Sequence, residues 1–312
     1  MVVTSSTTTT ATDENLALKD YWRSKLPNTR MPKAIQADLL TKSKKPSLTG
    51  NVELVWDAVV ASNNGWGSPP HSVGQQDDHQ LSYDQISETL YFLENELHPG
   101  STMNLHFTKT TLGIHFLPRK EAEAIPFSSK NFSNVLQRFS VLSGSNNAQV
   151  MKNTISDCEK PASAGEEKYC ATSLESMIDF SCSKLGTNNV QVLSTEEEEK
   201  ETSQKKKIII KKYRITGDLE KMKSEKAVLC HGMPYMYAVF YCHTTRGGTR
   251  VYKVPLVVDG DGTKAHAIAV CHMDTSKWSP NHLAFQLLKI KPGNFPVCHF
   301  LMVDHVVWVP NM

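Results

Sequence analysis

The segment Ala227-Val228-Leu229-Cys230-His231 opens a pattern that decides the fold of the last third of the chain. A short apolar run followed by Cys-His recurs at residues 239–243, 268–272 and 295–299. The four dipeptides are separated by 10, 27 and 25 residues, and they use four of the seven cysteines in the chain. Because the chain has so few cysteines, four adjacent Cys-His pairs indicate a recurring motif and not a chance arrangement.

Each apolar run predicts a short β-strand that carries its Cys-His pair. Successive side chains of a strand point to opposite faces of the sheet. Each pair therefore places its sulfur on one face and its imidazole on the other. The pattern predicts cysteines that pair on one side of the strands and histidines that converge on a metal on the other side.

Composition limits the class of protein. The 312 residues are 39% hydrophobic and 21% charged, which fits one large globular domain or a domain with an extended arm. The net charge of +2 gives no reason to expect a nucleic-acid partner. No apolar run approaches 18 residues, so we expect no membrane-spanning helix.

Two readings of the seven cysteines stay open on composition alone. In a secreted protein six of them could pair, leaving one over. In a reducing compartment they would be thiols or zinc ligands. The start of the chain, Met1-Val2-Val3 followed by Ser and Thr, has neither a charged n-region nor an apolar h-region. We therefore expect no signal peptide here, which favours a cytosolic protein or a processed form.

The N-terminal region is predicted to be an arm. Residues 1–15 are rich in Ser and Thr, a composition typical of disorder. Residues 21–35 are apolar and basic but contain Pro27 and Pro32, which argue against one continuous helix. We expect an extended docking segment, followed by a short helix through Leu39-Leu40. Residues 1–50 are thus assigned to a partly disordered leader or docking segment.

Residues 51–82 stand out as a short apolar island with linker-like flanks. Trp56 lies in an apolar stretch, whereas Trp66 lies among Gly, Asn, Ser and Pro. One interpretation is a strand and turn packed on the main domain. The other is a segment presented to a partner or an active site.

Residues 83–312 have the pattern of a single globular domain. Residues 97–100 predict a turn, 103–107 a strand, and 121–142 and 170–180 helices, the latter with Thr172 or Ser173 near its N-cap. Beyond Lys226 the chain alternates short strands and turns, including a hairpin turn at 259–262. The fold class is α+β: one β-rich domain with helices, preceded by an extended N-terminal arm.

Further motifs in this domain carry a family resemblance. They are Leu97-His98-Pro99-Gly100 with Met103, then Cys158-Glu159-x-Pro161, then Gly165-Glu166-x-Lys168-x-Cys170-Ala171-Thr172-Ser173-Leu174-Glu175, and finally the four Cys-His pairs. In this order they resemble the plant BURP-domain family, over about residues 20–40 and 90–310. One Cys-His pair would mean little, but four after these motifs are specific.

The resemblance implies an oxidising, secretory setting, with the protein in the extracellular space (the apoplast) or the vacuole. It implies a local disulfide between Cys158 and Cys170. It also implies that Cys230, Cys242, Cys271 and Cys298 pair among themselves, although the sequence leaves their partners open. Such bridges stabilise a fold by ~2–4 kcal/mol each. Cys182 lies outside the signature and explains the odd count.

The resemblance also implies two classes of function. Some family members are copper-dependent peptide cyclases that link a Trp or Tyr side chain to a carbon a few residues earlier, commonly within their own chain. Proteases later release the macrocycle. Others are seed, dehydration-responsive or cell-wall proteins, in which the same Cys-His framework would be structural.

The cyclase reaction requires a redox-active metal. Joining an aromatic side chain to an unactivated carbon removes two electrons, which acid–base side chains and d¹⁰ zinc cannot accept. Imidazoles suit copper, and we expect one or two Cu(II) ions with dioxygen as oxidant. The predicted ligands are His231, His243, His272 and His299, with His98, His106, His266 and His282 as secondary candidates. A Cys/His zinc site is the alternative, but its usual knuckle spacings are absent.

The predicted substrate lies upstream in the same chain. Trp56, with Val52 and Glu53 three or four residues before it, is favoured because its surroundings are more apolar. Trp66 is the alternative. A cyclase that acts on a separate chain, and a non-catalytic secreted protein, remain further hypotheses.

Overall fold

A computed structural model describes residues 11–40, 91–107, 114–198 and 210–312. The predicted substrate residues Val52, Glu53, Trp56 and Trp66 lie outside the described residues. Among the helices that are described, none combines the length and apolarity that crossing a membrane requires.

The described residues contain helices and antiparallel sheets, which confirms the α+β class. The helices are α1 (Ala11–Lys25), α2 (Lys33–Leu40), α3 (Arg119–Glu123), α4 (Phe132–Arg138), α5 (Asn146–Glu159), α6 (Leu174–Leu185) and α7 (Leu283–Leu288), with short 3-10 turns at Glu94–Glu96 and Ser129–Asn131. The strands are β1 (Phe92–Leu93), β2 (Thr102–Leu105), β3 (Glu166–Ala171), β4 (Val190–Leu193), β5 (Glu196–Glu197), β6 (Lys211–Ile215), β7 (Glu220–Lys221), β8 (Val228–Met233), β9 (Val239–Thr245), β10 (Thr249–Val258), β11 (Lys264–His272), β12 (Val297–Phe300) and β13 (Val306–Pro310).

The strands form two sheets. A five-stranded sheet has the order β3-β9-β8-β13-β4. An eight-stranded sheet has the order β1-β12-β11-β10-β6-β2, with β5 added to β11 and β7 added to β10. Two of the Cys-His pairs lie in each sheet, on β8 and β9 of the smaller one and on β11 and β12 of the larger one.

Apolar side chains from both sheets pack against one another in a shared core. Leu229 and Val307 of the five-stranded sheet belong to the same buried cluster as Val251 and Val270 of the eight-stranded sheet. Strand alternation places His231 on the same face as Leu229, and His272 on the same face as Val270. The inner faces of the two sheets therefore change from aliphatic residues to histidines along the strands.

Local sequence signals set the ends of several elements. Helix α6 begins after Ser173, whose side chain accepts a hydrogen bond from the backbone N–H of Ser176, and it ends at Gly186 with a left-handed φ of 74°. The predicted N-cap is thus confirmed. The predicted turn at 259–262 joins β10 to β11, closed by a hydrogen bond from Val258 N–H to the Thr263 carbonyl.

The described part of the N-terminal arm contains two helices, so the prediction of an extended segment over residues 21–35 was wrong, whereas the predicted short helix through Leu39-Leu40 is confirmed as the end of α2. Leu18 and Trp22 of α1, and Leu26 directly after it, are spaced four residues apart and are all buried. Pro27 follows the end of α1, and Pro32 immediately precedes α2. Prolines just outside helix boundaries are compatible with both helices, because neither removes an internal hydrogen bond.

The described N-terminal helices pack on the five-stranded sheet. The Trp22 ring lies 5.7 Å from that of Trp308 on β13, centroid to centroid. Thr29 donates its hydroxyl to the Val190 carbonyl at 2.7 Å. Both α1 and α2 contribute to the buried cluster that covers the five-stranded sheet.

Candidate metal centre

The cysteines of the four pairs form disulfides within each sheet. Cys230 bonds to Cys242 between β8 and β9, and Cys271 bonds to Cys298 between β11 and β12. In both bridges the two residues are direct partners in the strand register, with Cα atoms 4.0 Å apart. Strand pairing therefore selects the partners that the sequence left open.

A third disulfide joins Cys158, in the last turn of α5, to Cys170 on β3. It is the local bridge that the family resemblance implied. Cys182 is a free, buried cysteine on α6. Since all the cysteines of the Cys-His pairs are oxidised, they offer no thiolate, and a Cys/His zinc site at the pairs loses its sulfur ligands.

The histidines of the four pairs lie together between the sheets. Within the smaller sheet the ring centroids of His231 and His243 are 5.3 Å apart, and within the larger sheet those of His272 and His299 are 5.6 Å apart. Across the sheets, His231 lies 6.1 Å from His299 and His243 lies 6.2 Å from His272. The four rings thus form a closed cluster, each with a neighbour in its own sheet and one in the other.

The two histidines of the smaller sheet present nitrogens to each other. The Nε2 atoms of His231 and His243 are 3.2 Å apart. Two nitrogens bound to one ion at ~2.0 Å each, with a tetrahedral angle between them, are ~3.3 Å apart. This pair therefore already has the spacing of two ligands to a single ion.

A buried carboxylate supports His243. Its Nδ1 atom lies 2.7 Å from Oε1 of Glu166 on β3, and the two side chains are only 6% and 9% exposed. Burial would raise the pKa of Glu166, but the charge and contact of His243 hold that pKa below its usual value. An ionised carboxylate accepts hydrogen bonds only, so the proton of His243 belongs on Nδ1.

His231 is contacted by a histidine that belongs to no Cys-His pair. The Nδ1 atom of His305, just before β13, lies 3.0 Å from Nδ1 of His231. The Nε2 atom of His305 lies 3.8 Å from Oδ1 of Asp304. All three residues are buried.

The histidines of the larger sheet have buried nitrogens without a hydrogen-bond partner. Nδ1 of His299 contacts the Phe300 carbonyl at 3.4 Å, so it carries the proton and leaves Nε2 bare. That Nε2 atom, and Nδ1 of His272, are buried and unpaired. Unpaired buried nitrogens are costly in a protein interior and are explained if they bind a ligand or an ion.

Burial keeps His231, His272 and His299 as neutral imidazoles, the form that binds metals. Burial is the main cause that lowers the pKa of His231 and His272 well below the ordinary value, and the neighbouring histidines lower it further. Burial likewise lowers the pKa of His299 to about 4. At neutral pH these rings keep a lone pair available for coordination.

Aromatic side chains line one side of the cluster. The Tyr91 ring lies 6.3 Å from that of His299, and the half-buried Trp278 ring lies 5.2 Å from that of His272. Tyr91 is the first described residue after the 51–82 segment. The described domain thus resumes beside the histidines at Tyr91.

The secondary histidine candidates differ in their exposure and in their position relative to the four-histidine cluster. His98 and His266 are exposed, and no contact joins either of them to the four-histidine cluster. His106 lies just beyond the end of β2. His282 is buried near the cluster, but its Nδ1 atom accepts the Ala284 N–H at the start of α7. In a neutral ring that leaves Nε2 protonated, so His282 is poorly suited to bind a metal.

Sequence reasoning missed two groups around the cluster. Glu166 belongs to the quoted Gly165-Glu166 motif, so a signal for it was present. His305 and Asp304 carry no local signal, because only the pairing of β13 with β8 brings them beside His231.

The residues fit a copper ion by the chemistry of their donors. In the described part of the chain, no three His, Cys, Asp or Glu side chains already surround one point as a complete ligand set. What the structure contains is one nitrogen pair at ligand spacing, facing a second pair with unpaired nitrogens. Several neutral imidazoles without a thiolate suit copper among the common metals.

Comparison with known proteins agrees with this arrangement. The BURP domain model matches residues 90–310. The chain is 50% identical over 228 residues to BURP domain-containing protein 3 of Oryza sativa subsp. japonica, and 50% identical over 234 residues to BURP domain protein RD22 of Arabidopsis thaliana. These matches cover 72% of this chain in each case, but only 52% and 57% of the relatives, so the chain spans about half their length.

A third relative is matched over most of its length. BURP domain-containing protein 5 of Oryza sativa subsp. japonica is 42% identical over 291 residues, which cover 93% of this chain and 86% of the relative. With its two disulfide-backed histidine pairs and a family model that covers most of its residues, the chain belongs to the BURP-domain family.

Proposed function

We propose that this protein is a copper-dependent oxidative peptide cyclase that cross-links a tryptophan of its own residues 51–70 to a residue a few positions upstream. One observation carries the proposal: the histidines of all four Cys-His pairs gather in one buried cluster with unpaired nitrogens. A purely structural role for the pairs would require the disulfides, but not four converging imidazoles.

The reaction is an oxidation with a simple balance. A C–H bond of the upstream residue and an N–H or C–H bond of the indole are broken, and one bond between the two residues forms. Two protons and two electrons leave the peptide. Dioxygen takes up both and becomes hydrogen peroxide. Bound copper supplies the one-electron redox chemistry that connects the peptide to dioxygen and that protein side chains lack.

The residues of the chain hold the metal and protect the site. His231, His243, His272 and His299 are the proposed ligands to one or two copper ions. Their burial between the sheets excludes water, which strengthens electrostatic interactions and limits side reactions. The disulfides keep sulfur on the opposite strand faces, so thiols do not compete for copper or reduce it.

The substrate is delivered within the chain. Leu39 and Tyr91, described residues before and after the segment, are buried in the domain and anchor the chain at these two points. A tethered substrate has an effective concentration of roughly millimolar without a dedicated binding pocket. Trp56 is the favoured acceptor, with Val52 or Glu53 as the upstream partner, and Trp66 is the alternative.

The disulfides also bear on the cellular compartment in which the protein works. Three disulfides favour the secretory pathway, with the apoplast or vacuole as the destination. Proteases downstream would release the ring. A net charge of +2 supports neither a nucleic-acid nor a membrane partner.

Mass spectrometry tests the proposal. The purified chain is incubated with Cu(II) and air and then digested, and the peptide that spans residues 51–70 should have lost two hydrogen atoms. A Trp56→Phe variant should abolish the loss, whereas Trp66→Phe, its matched control, should retain it.

If Trp66→Phe abolished the loss and Trp56→Phe retained it, the cross-link would form at Trp66. An unmodified peptide in a protein that has bound copper would contradict the autocatalytic reaction. It would favour a non-catalytic secreted cell-wall or seed protein, or a cyclase whose substrate is a separate chain.

A further inference from the structure

A continuous row of buried titratable groups runs through the histidine pair of the smaller sheet. In spatial order it is Glu166, His243, His231, His305 and Asp304. We infer that Glu166 and His305 are positioning residues that fix the tautomers of His243 and His231, so that both Nε2 atoms face the same ion without protons. This inference rests on the proposed metal site and deepens it.

Glu166 is held firmly enough to orient its partner. Its Oε2 atom accepts the backbone N–H of Ser163 at 3.1 Å, which leaves Oε1 for Nδ1 of His243 at 2.7 Å. Strand β3 pairs with β9, and Glu166 lies opposite Thr245, two residues beyond His243 on the same face. A carboxylate that holds the Nδ1–H of a metal-binding histidine is a common support of such ligands.

His305 gives His231 the equivalent support through one more ring. If His231 keeps Nε2 bare, its proton sits on Nδ1 and is donated to Nδ1 of His305 across 3.0 Å. His305 then carries its own proton on Nε2, which lies 3.8 Å from Oδ1 of Asp304, beyond hydrogen-bond distance. His243 thus points its protonated nitrogen at a carboxylate, and His231 points its own at a second imidazole.

The tautomers of His243 and His231 together show where the cation belongs. A neutral imidazole carries one proton. If His243 directs its proton from Nδ1 toward Glu166, and His231 directs its own from Nδ1 toward His305, neither ring has a proton left for the contact between them. Two nitrogen lone pairs then face each other across 3.2 Å.

Two facing lone pairs repel each other, and a cation between them removes the repulsion. The buried Glu166 carboxylate lies beside this pair, and a cation at the central contact would offset its negative charge. Geometry and charge therefore point to the same place for the ion. The pair in the larger sheet is supported differently, because His299 uses the Phe300 carbonyl.

Two variants and one control test the inference in the metal-free protein. Long-range ¹H–¹⁵N spectra of the histidine rings report which nitrogen carries the proton. Glu166→Gln should shift His243 away from the Nδ1–H tautomer and leave His231 unchanged. His305→Gln should change the protonation of His231 and leave His243 unchanged. A general loss of structure would not produce this selective pattern.

The same proteins are then titrated with Cu(II). Removing a support of this kind weakens metal affinity by about 10–100-fold, and we expect both variants to do so. Glu167→Gln is the matched control, because the neighbouring carboxylate is exposed and pairs with Lys184 at 2.6 Å on the surface. It should change neither the spectra nor the affinity. If one variant fails to fold, the other still tests its own half of the row.

The outcomes separate this inference from the proposed function. Unchanged tautomers, or Cu(II) affinities equal to wild type, in both variants would overturn the positioning roles even in an active enzyme. A wild-type protein that shows the expected tautomers but binds no Cu(II) would overturn the proposed function and leave the assignment of the tautomers standing.

Discussion

Neighbouring residues of each Cys-His pair act on opposite faces of one strand. Cys271 is buried in a cluster with Tyr213 and Leu256 on the outer face of the larger sheet, whereas His272 faces the other sheet. The disulfides therefore lie directly behind the histidines. They hold the paired strands together at the point where the imidazoles must keep their spacing.

Removing the Cys271–Cys298 bridge tests this support. A Cys271→Ser/Cys298→Ser variant opens a loop with a sequence separation of 27 residues. The loop-entropy model predicts a loss of about 3–4 kcal/mol in the free energy of unfolding. Urea denaturation under non-reducing conditions measures it.

Cys182→Ala is the control for this experiment, because Cys182 is buried but unbridged. It should cost about 1 kcal/mol or less. Equal losses in the two variants would show that the bridge contributes no more than an ordinary buried side chain.

At the scale of elements, the N-terminal helices are part of the folded domain. Helix α1 packs its apolar face on α6 and β13, and Trp22 also donates its Nε1–H to the Thr29 carbonyl at 2.9 Å. Tyr21 donates its hydroxyl to Asp179 on α6 at 2.7 Å. These contacts anchor the described N-terminal helices to the domain.

Trp22→Ala should destabilise the protein strongly. The ring is 3% exposed and packs on Trp308, and truncation of such a residue costs about 3–5 kcal/mol. Leu16→Ala on the same helix is the matched control. Leu16 is 54% exposed, so its removal should change stability by only about 0.5 kcal/mol. A small effect of Trp22→Ala on the unfolding midpoint would mean that the arm does not hold the domain.

Element-level features were predictable where the signal is local. Strand alternation gave the division of Cys and His between faces, since the period of two needs no knowledge of distant residues. Ser173 marked the start of α6 for the same reason. Pro27 and Pro32 correctly exclude one continuous helix over residues 21–35, but they lie between two helices, so the chain on either side of them is helical and not extended.

Features that depend on distant pairing could not be predicted. Cys230 could have bonded to any of three other pair cysteines until the register of β8 with β9 placed it opposite Cys242. His305 and Glu166 reach the histidines only because β13 and β3 join the same sheet. The Gly165-Glu166 motif draws attention to Glu166, but no local pattern shows that either residue lies beside the histidines.

At the scale of the whole molecule, the two sheets contribute equally to the candidate centre. His231 and His243 come from the smaller sheet, His272 and His299 from the larger. A centre built this way forms only when the two sheets are packed together. The fold therefore couples metal binding to the correct assembly of the domain.

Copper titration of single-histidine variants tests this account most directly. His272→Gln removes a proposed ligand, whereas His266→Gln removes an exposed histidine on the same strand and serves as the control. We predict that His272→Gln weakens Cu(II) binding by at least about 10-fold relative to wild type, as loss of a metal contact does, and that His266→Gln leaves it unchanged. Wild-type affinity in His272→Gln would contradict a copper centre shared by the two sheets.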